Sequence, residues 1–245
     1  MTQAHFKQAV AQLHRKYRAY RNDNVPFPIE SIIAWYSLFA AQANLDVRGD
    51  ILEMGVEHGG TAFLEAVALR DDENLELVDL KQSPRFKAMA DTLPESLSKR
   101  IHFHECSTRA RELDALTDRR FRFIHIDAGH SKSDVVHDIR RFSGALSPEG
   151  ILCCDDVFEI RWPGVTEAVL QEMPATDLVP FLFVNRKLYF CCASMSEKYR
   201  QTLTDALPDI KGFGDLRHWT ETMLEADTLI WKQIPRSANL GDLIH

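Results

Sequence analysis

The stretch ILEMGVEHGGTAFL, residues 51–64, decides the fold. Ile51, Leu52 and Met54 are apolar, with one carboxylate, Glu53, among them. Gly55, Gly59 and Gly60 follow, then Thr61 and an apolar pattern of helical spacing. That order reads as a buried strand, a tight glycine turn and a helix. Glycine is needed where a backbone turns sharply or approaches a ligand closely. The free N–H groups at the start of the following helix favour an anion. An α/β sheet binds nucleotide-like ligands at this place, outside the carboxyl ends of its strands.

Working outward, strands are expected at 50–54, 75–79, 100–104, 121–126 and 150–154, and helices at 60–70, 84–92, 108–116, 132–145 and 164–172. Such alternation is the pattern of a mostly parallel sheet covered by helices on both faces. Residues 178–193, LVPFLFVNRKLYFCCA, break it: two apolar runs flank Asn185-Arg186-Lys187, so an antiparallel hairpin ends the sheet. A helix is expected over 195–207, ended by Pro208. Upstream, residues 3–20 read as an amphipathic helix with a basic outer face, 22–28 as a loop, and 29–44 as a strongly apolar helix that must be covered. The organisation expected is therefore a helical appendage (1–48), a central domain (49–194), and a C-terminal helix and tail (195–245). The two apolar appendages suggest a homodimer, and the last ten residues read as weakly structured.

The 245 residues carry 29 basic and 36 acidic side chains, a net charge of −7. That charge argues against a nucleic-acid binder, because phosphate neutralisation needs a basic face. No apolar run reaches membrane-spanning length, and no signal-peptide core is seen in MTQAHFKQAVAQLHRKY, so a cytoplasmic protein is expected. Four of the five cysteines form two adjacent pairs (Cys153-Cys154 and Cys191-Cys192); these pairs lie in strand-like runs and read as small apolar fillers.

The glycine turn is neither of two common nucleotide motifs. Glu57 stands where G-x-G-x-x-G needs its second glycine, and no Lys follows Gly60 as a P-loop requires. What remains, E-x-G-x-x-x-G-x-T from Glu53 to Thr61, resembles the first motif of class I S-adenosylmethionine-dependent methyltransferases. The five parallel strands with a terminal hairpin resemble the same family's Rossmann-like fold, in which the last strand inserts between the fifth and sixth. The resemblance implies S-adenosylmethionine as cofactor, with Glu53, Gly55, Gly59 and Thr61 around its methionine end. Asp79, at the tip of the second strand, would accept from the ribose hydroxyls. Ser107, in the loop after the third strand, would meet the adenine, although the same hydroxyl is also placed to cap a helix over 108–116.

Residues 123–139, FIHIDAGHSKSDVVHDI, and 151–158, ILCCDDVF, bring Asp127, Asp155 and Asp156 to neighbouring strand tips. Carboxylates so gathered repel one another unless protonated or bridged by a cation, and hard oxygen ligands suit Mg²⁺. This part resembles the methyltransferase subset with I-D-x-x-H and D-D motifs, linked to O-methylation of sugars and natural products. It implies a small-molecule acceptor, Mg²⁺ in some members, and Asp127, Asp155 and Asp156 as its ligands, with Asp127 also among the residues that bind the cofactor. His130 is placed to take the proton of an acceptor hydroxyl, with Asp127 beside it as a catalytic residue. Where that subset has an aromatic residue two positions after the His, this chain has Lys132. The loop 157–163, with Phe158, Arg161 and Trp162, is placed to wall an acceptor pocket. Two other readings share this fold: a metal-dependent hydroxylase, which would need a second His at the cluster, and a non-catalytic cofactor-binding scaffold.

Overall fold

The computed structural model describes residues 29–206 and 218–231. The helix expected over 3–20, the loop 22–28 and the last ten residues lie outside them. The chain begins with helix α1 (Ile29–Asn44) and then alternates: β1 (Asp50–Met54), α2 (Gly60–Ala68), β2 (Leu75–Asp79), α3 (Pro84–Ala90), α4 (Glu95–Ser98), β3 (Ile101–Glu105), α5 (Asp114–Thr117), β4 (Phe121–Ile126), α6 (Lys132–Phe142), β5 (Leu146–Cys154) and α7 (Pro163–Glu172). It continues through β6 (Leu178–Val184), β7 (Lys187–Cys192), α8 (Ala193–Ala206), β8 (His218–Met223) and β9 (Ala226–Trp231). One sheet contains all nine strands of the described residues, in the order β3-β2-β1-β4-β5-β7-β6-β9-β8. The first five are parallel, and β7 enters antiparallel between β5 and β6.

Local chemistry sets the element ends. Ser83 caps α3, its hydroxyl accepting from Phe86 N at 3.1 Å, with Pro84 at the first helical position. Ser131 caps α6 by accepting from Asp134 N at 3.2 Å, and Arg140 and Arg141 meet the negative end of its dipole. The β6–β7 turn places Asn185 and Arg186 at φ 46° and 72°, the left-handed pair that a two-residue hairpin requires.

Three expectations change. The helix expected at 108–116 is a 3₁₀ turn at Arg111–Leu113 running into α5, because Ser107 Oγ accepts from Arg109 N two residues on and tightens the chain before a helix can start. Strand β5 begins four residues before the expected Gly150, with a register shift opposite Phe121 and Phe123. The tail forms a second hairpin, β8–β9, whose β9 pairs in parallel with β6.

The core divides between the two sheet faces. On one, α1, α2 and α8 cover Ile51, Leu77, Phe123 and Tyr189; on the other, α6 and α7 cover Leu52, Ile124, Leu152 and Phe190. Strand alternation sends neighbouring residues to opposite faces, and so supplies both. Helix α1 finds its cover within the chain, with Ile33, Trp35 and Leu38 fully buried, so its apolarity calls for no second subunit. An ion pair ties it down: Arg122, on β4, donates to both Glu73 oxygens at 2.9 Å, to Gln42 Oε1 at 2.6 Å and to Ala68 O at 3.0 Å. Gln42 Nε2 returns a bond to Arg122 O at 2.7 Å.

A second buried group sits behind the glycine turn. Glu53 accepts from Thr61 Oγ1 and from His125 Nδ1, the latter at 3.2 Å, and Glu65 faces it. All three of Glu53, Glu65 and His125 are fully buried. Burial, and then the Glu65 charge, push Glu53 up to about 8, and burial pushes Glu65 up to about 8. The pair therefore holds a proton at neutral pH.

Two predictions follow from this packing. Arg122→Ala removes the buried cation from Glu73, leaves it Arg70 as partner, strands Gln42 Oε1, and should cost about 1–3 kcal/mol in urea unfolding; a loss under about 0.5 kcal/mol would show the Arg122 contacts to be idle. The raised Glu53 and Glu65 values mean that the folded state binds more protons than the unfolded one between the ordinary value of 4.5 and about 8. Stability from this pair is thus present below pH 4.5 and lost as pH rises through about 8, on the order of 1 kcal/mol per pH unit. Glu65→Gln should flatten that slope and be more stable than the wild type at pH 8; parallel pH profiles would remove the assignment.

Candidate active site

The carboxyl ends of β1, β2, β4 and β5 open onto a cleft of about 1170 Å³. Its first wall is the glycine turn. Gly55 has φ 92°, and a Cβ there would lie 2.0 Å from the Asp127 carbonyl oxygen, so no other residue lets β1 and β4 approach at this point. Gly59 has φ 79° and stands before α2, against the side chains of Phe86 and Met89. Asp79, at the tip of β2, braces the turn: its Oδ2 accepts from Val56 N and Glu57 N, both at 2.8 Å. Gly55, Gly59, Thr61, Asp79 and Ser107 all line the cleft. Glu53 does not; it stands behind Thr61 in the core. Leu80, after Asp79, is a large apolar side chain that lines the same cleft while 74% exposed.

The second wall is acidic. Asp127, His130, Asp155 and Asp156 meet here. His130 Nε2 lies 3.0 Å from Asp156 Oδ2 and 3.8 Å from Asp127 Oδ1, and its ring lies against Trp162 at 4.9 Å between centroids. Asp156 is held by Arg186 Nη1 at 3.3 Å. Burial, and then the charge of Asp155, raise the Asp127 carboxyl well above the usual carboxylate range. Asp155 goes the other way. Burial would raise it, but the ammonium of Lys187 and the nearby His125 together hold it well below that range. The donor atoms of Asp127, His130 and Asp156 lie within 4.8 Å of one another, a set that fits one small divalent cation.

Asp155 is engaged at both oxygens. Oδ1 accepts from Asp156 N at 2.7 Å, and Oδ2 pairs with Lys187 Nζ. The Lys187 ammonium also lies 3.3 Å from His125 Nε2 and 5.8 Å from the Trp35 ring. A donor at Nε2 puts the imidazole proton on Nδ1, which then donates to Glu53. His125 is therefore partnered on both sides. Lys187, Arg186 and Leu80 are the cleft residues that sequence reasoning missed. Lys187 and Arg186 read as hairpin-turn residues, and nothing local announces that the hairpin folds back onto the strand tips. Leu80 is a single apolar residue beyond a strand.

Known proteins share this fold. A family model described as a methyltransferase domain matches residues 52–157. No curated protein matches the sequence. Among solved structures, the chain is similar to CalS11, a TDP-rhamnose 3'-O-methyltransferase of calicheamicin biosynthesis, with a TM-score of 0.54 at 15% identity over 76% of this chain and 93% of that one. It is similar to the O-methyltransferase TomG from Streptomyces achromogenes, solved with its cofactor SAM, with a TM-score of 0.50 at 18% identity over 74% and 86% of the two chains. It also matches the MycE methyltransferase of the mycinamycin pathway, solved with Mg, SAH and mycinamycin VI, at 15% identity, TM-score 0.52, over 73% of this chain and 54% of that one. With the strand order above, these matches show the class I methyltransferase fold, and the family-model match covers residues 52–157.

Proposed function

We propose that this chain transfers a methyl group from S-adenosylmethionine to a hydroxyl of a small molecule, a sugar or a glycosylated natural product. The observation that carries the reading is the His130–Asp156 pair, 3.0 Å apart, standing across one cleft from the glycine turn. The relatives named above act on such acceptors or carry such ligands, which favours this class.

The residues of the cleft divide the work. The Gly55–Thr61 turn gives the methionine end of the cofactor a close backbone approach, Asp79 the ribose, and Leu80 and Ser107 the adenine. The cofactor supplies a methyl group on a sulfonium sulfur. Holding donor and acceptor in line contributes up to roughly 7–11 kcal/mol in the best cases. His130 takes the proton of the acceptor hydroxyl at Nδ1, while Asp156, accepting from Nε2–H at 3.0 Å, fixes that tautomer, orients the imidazole and stabilises its charged form. Trp162, against His130, and Phe158 offer apolar faces to a sugar ring. A Mg²⁺ held by Asp127 and Asp156 would supply Lewis-acid polarisation of the acceptor oxygen. A hydroxylase would need two free imidazoles at the cluster, and His125 is committed to Glu53 and Lys187. The assembly and the cellular place of the enzyme are proposed as a small-molecule enzyme of the cytoplasm; no described helix is long and apolar enough to cross a membrane.

The reading is tested by calorimetric titration of S-adenosylmethionine, followed by mass-spectrometric detection of methyl transfer to a panel of glycosides. Asp79→Ala should weaken cofactor binding at least tenfold while the protein stays folded; equal affinity would sink the ribose assignment. His130→Gln should lower kcat by roughly 10²–10⁴-fold with cofactor affinity within threefold of wild type. Turnover near wild type in Asp127→Ala would show that the active site lies elsewhere.

A further inference from the structure

The acidic floor contains its own cation. Lys187 is 4% exposed, and its Nζ sits among Asp155 Oδ2, His125 Nε2 and the face of Trp35. It is the first residue of β7, just past the Asn185-Arg186 turn. That turn is pinned from two sides, since Asn185 Nδ2 donates to Ser31 Oγ at 3.1 Å and Arg186 O accepts from Val157 N at 2.8 Å. The lysine is therefore delivered to the strand tips by a rigid hairpin and has no room to swing into solvent. Its partner Asp155 is engaged at both oxygens, since Oδ1 accepts from Asp156 N while Oδ2 pairs with Lys187.

We propose that Lys187 is a positioning residue that removes Asp155 from the metal-binding set, so that the carboxylates holding a divalent cation at this site are Asp127 and Asp156. This rests on the methyltransferase reading only for the choice of Mg²⁺ as the natural ion. An ammonium and a divalent cation compete for the same negative charge. Lys187 wins Asp155 because its pairing is preformed and dehydrated, whereas Mg²⁺ gives up its waters reluctantly. The consequence is a weak metal site in the intact chain, with Asp155 fixing the backbone of Asp156 through the Oδ1 bond and so aiming Asp156 at His130.

The test uses Mn²⁺ as the probe, read by the loss of the free-ion electron paramagnetic resonance signal on the full-length protein, with folding checked by thermal melting. Wild type, K187M, the double variant D155N/K187M and D156N are compared. K187M, which frees Asp155 and keeps the side-chain length, should bind Mn²⁺ at least tenfold more tightly than wild type. D155N/K187M replaces the ion pair by two neutral groups at unchanged net charge, and should return to within threefold of wild type; D156N should lose at least tenfold. The double variant keeps the floor neutral, so it decides the matter even where K187M fails to fold. A tenfold or greater loss in D155N/K187M would make Asp155 a ligand and overturn the proposal, as would a folded K187M with unchanged affinity or the absence of Mn²⁺ binding in every variant. Calorimetry of S-adenosylmethionine on the same samples separates the two readings, since failure there removes the function and leaves the metal result standing.

Discussion

Three carboxylates converge on adjacent strand tips, and the fold must supply positive charge to the same few ångströms. Asp127 ends β4 while Asp155 and Asp156 end β5, strands that are paired in parallel with Ile126 opposite Cys154. Like charges at that spacing disfavour ionisation. The counter-charges come from β7, the antiparallel strand that enters beside β5. Lys187 meets Asp155, and Arg186, one residue earlier, meets Asp156 and Glu159. The inserted strand is thus more than a way of closing the sheet. Its turn carries the cations that allow the acids to stand together, and α1 closes the space beneath with Trp35 against His125 and Lys187.

The two walls of the cleft are joined through the core. Thr61 in the glycine turn donates to Glu53, His125 donates to Glu53, and Lys187 donates to His125 and Asp155. On the solvent side Asp79 holds the turn through two backbone N–H groups. A change at the acidic floor therefore reaches the cofactor side by a chain of contacts, each within hydrogen-bonding reach. Buried polar networks of this kind are costly when incomplete, and here the Glu53–Glu65 pair, which holds a proton at neutral pH, makes its completeness depend on pH.

Much of this was legible in the sequence because two periodicities are local. The switch from strand to helix spacing marks β1 to β5 and their helices, and the glycine turn marks the cleft. The expectations that fell short share a cause: contacts made across distance, or turns without their usual residues. The β8–β9 hairpin turns at Leu224-Glu225, both left-handed at φ 46° and 64°. Neither is the Asn or Gly that signals such a turn. Ser107 is an ordinary helix-capping residue whose hydroxyl was taken by a nearer N–H. Lys187 lies 32 residues from Asp155 and reads as a turn lysine bound for solvent. Glu53 belongs to the motif by sequence, yet strand alternation turns its side chain to the same core face as Ile51, against Thr61 and His125.

The D-D pair shows how one residue type serves two ends at adjacent positions. In a continuing strand, Asp155 and Asp156 would point to opposite faces, and one of them would be lost to the site. The chain avoids this by ending the strand at Cys154 and turning left-handed at Asp156. Asp156 takes φ 55° and Phe158 φ 65°, conformations that a non-glycine residue adopts at a cost of order 1–3 kcal/mol. The strain is held by Val157 N on Arg186 O and Phe158 N on Thr166 Oγ1, both at 2.8 Å. It returns Asp156 to the cleft side, where it meets His130, while Asp155 stays turned toward Lys187. One carboxylate is thereby fixed as part of the scaffold and the other left to face the reaction, and the left-handed residue between strand and loop is what divides them.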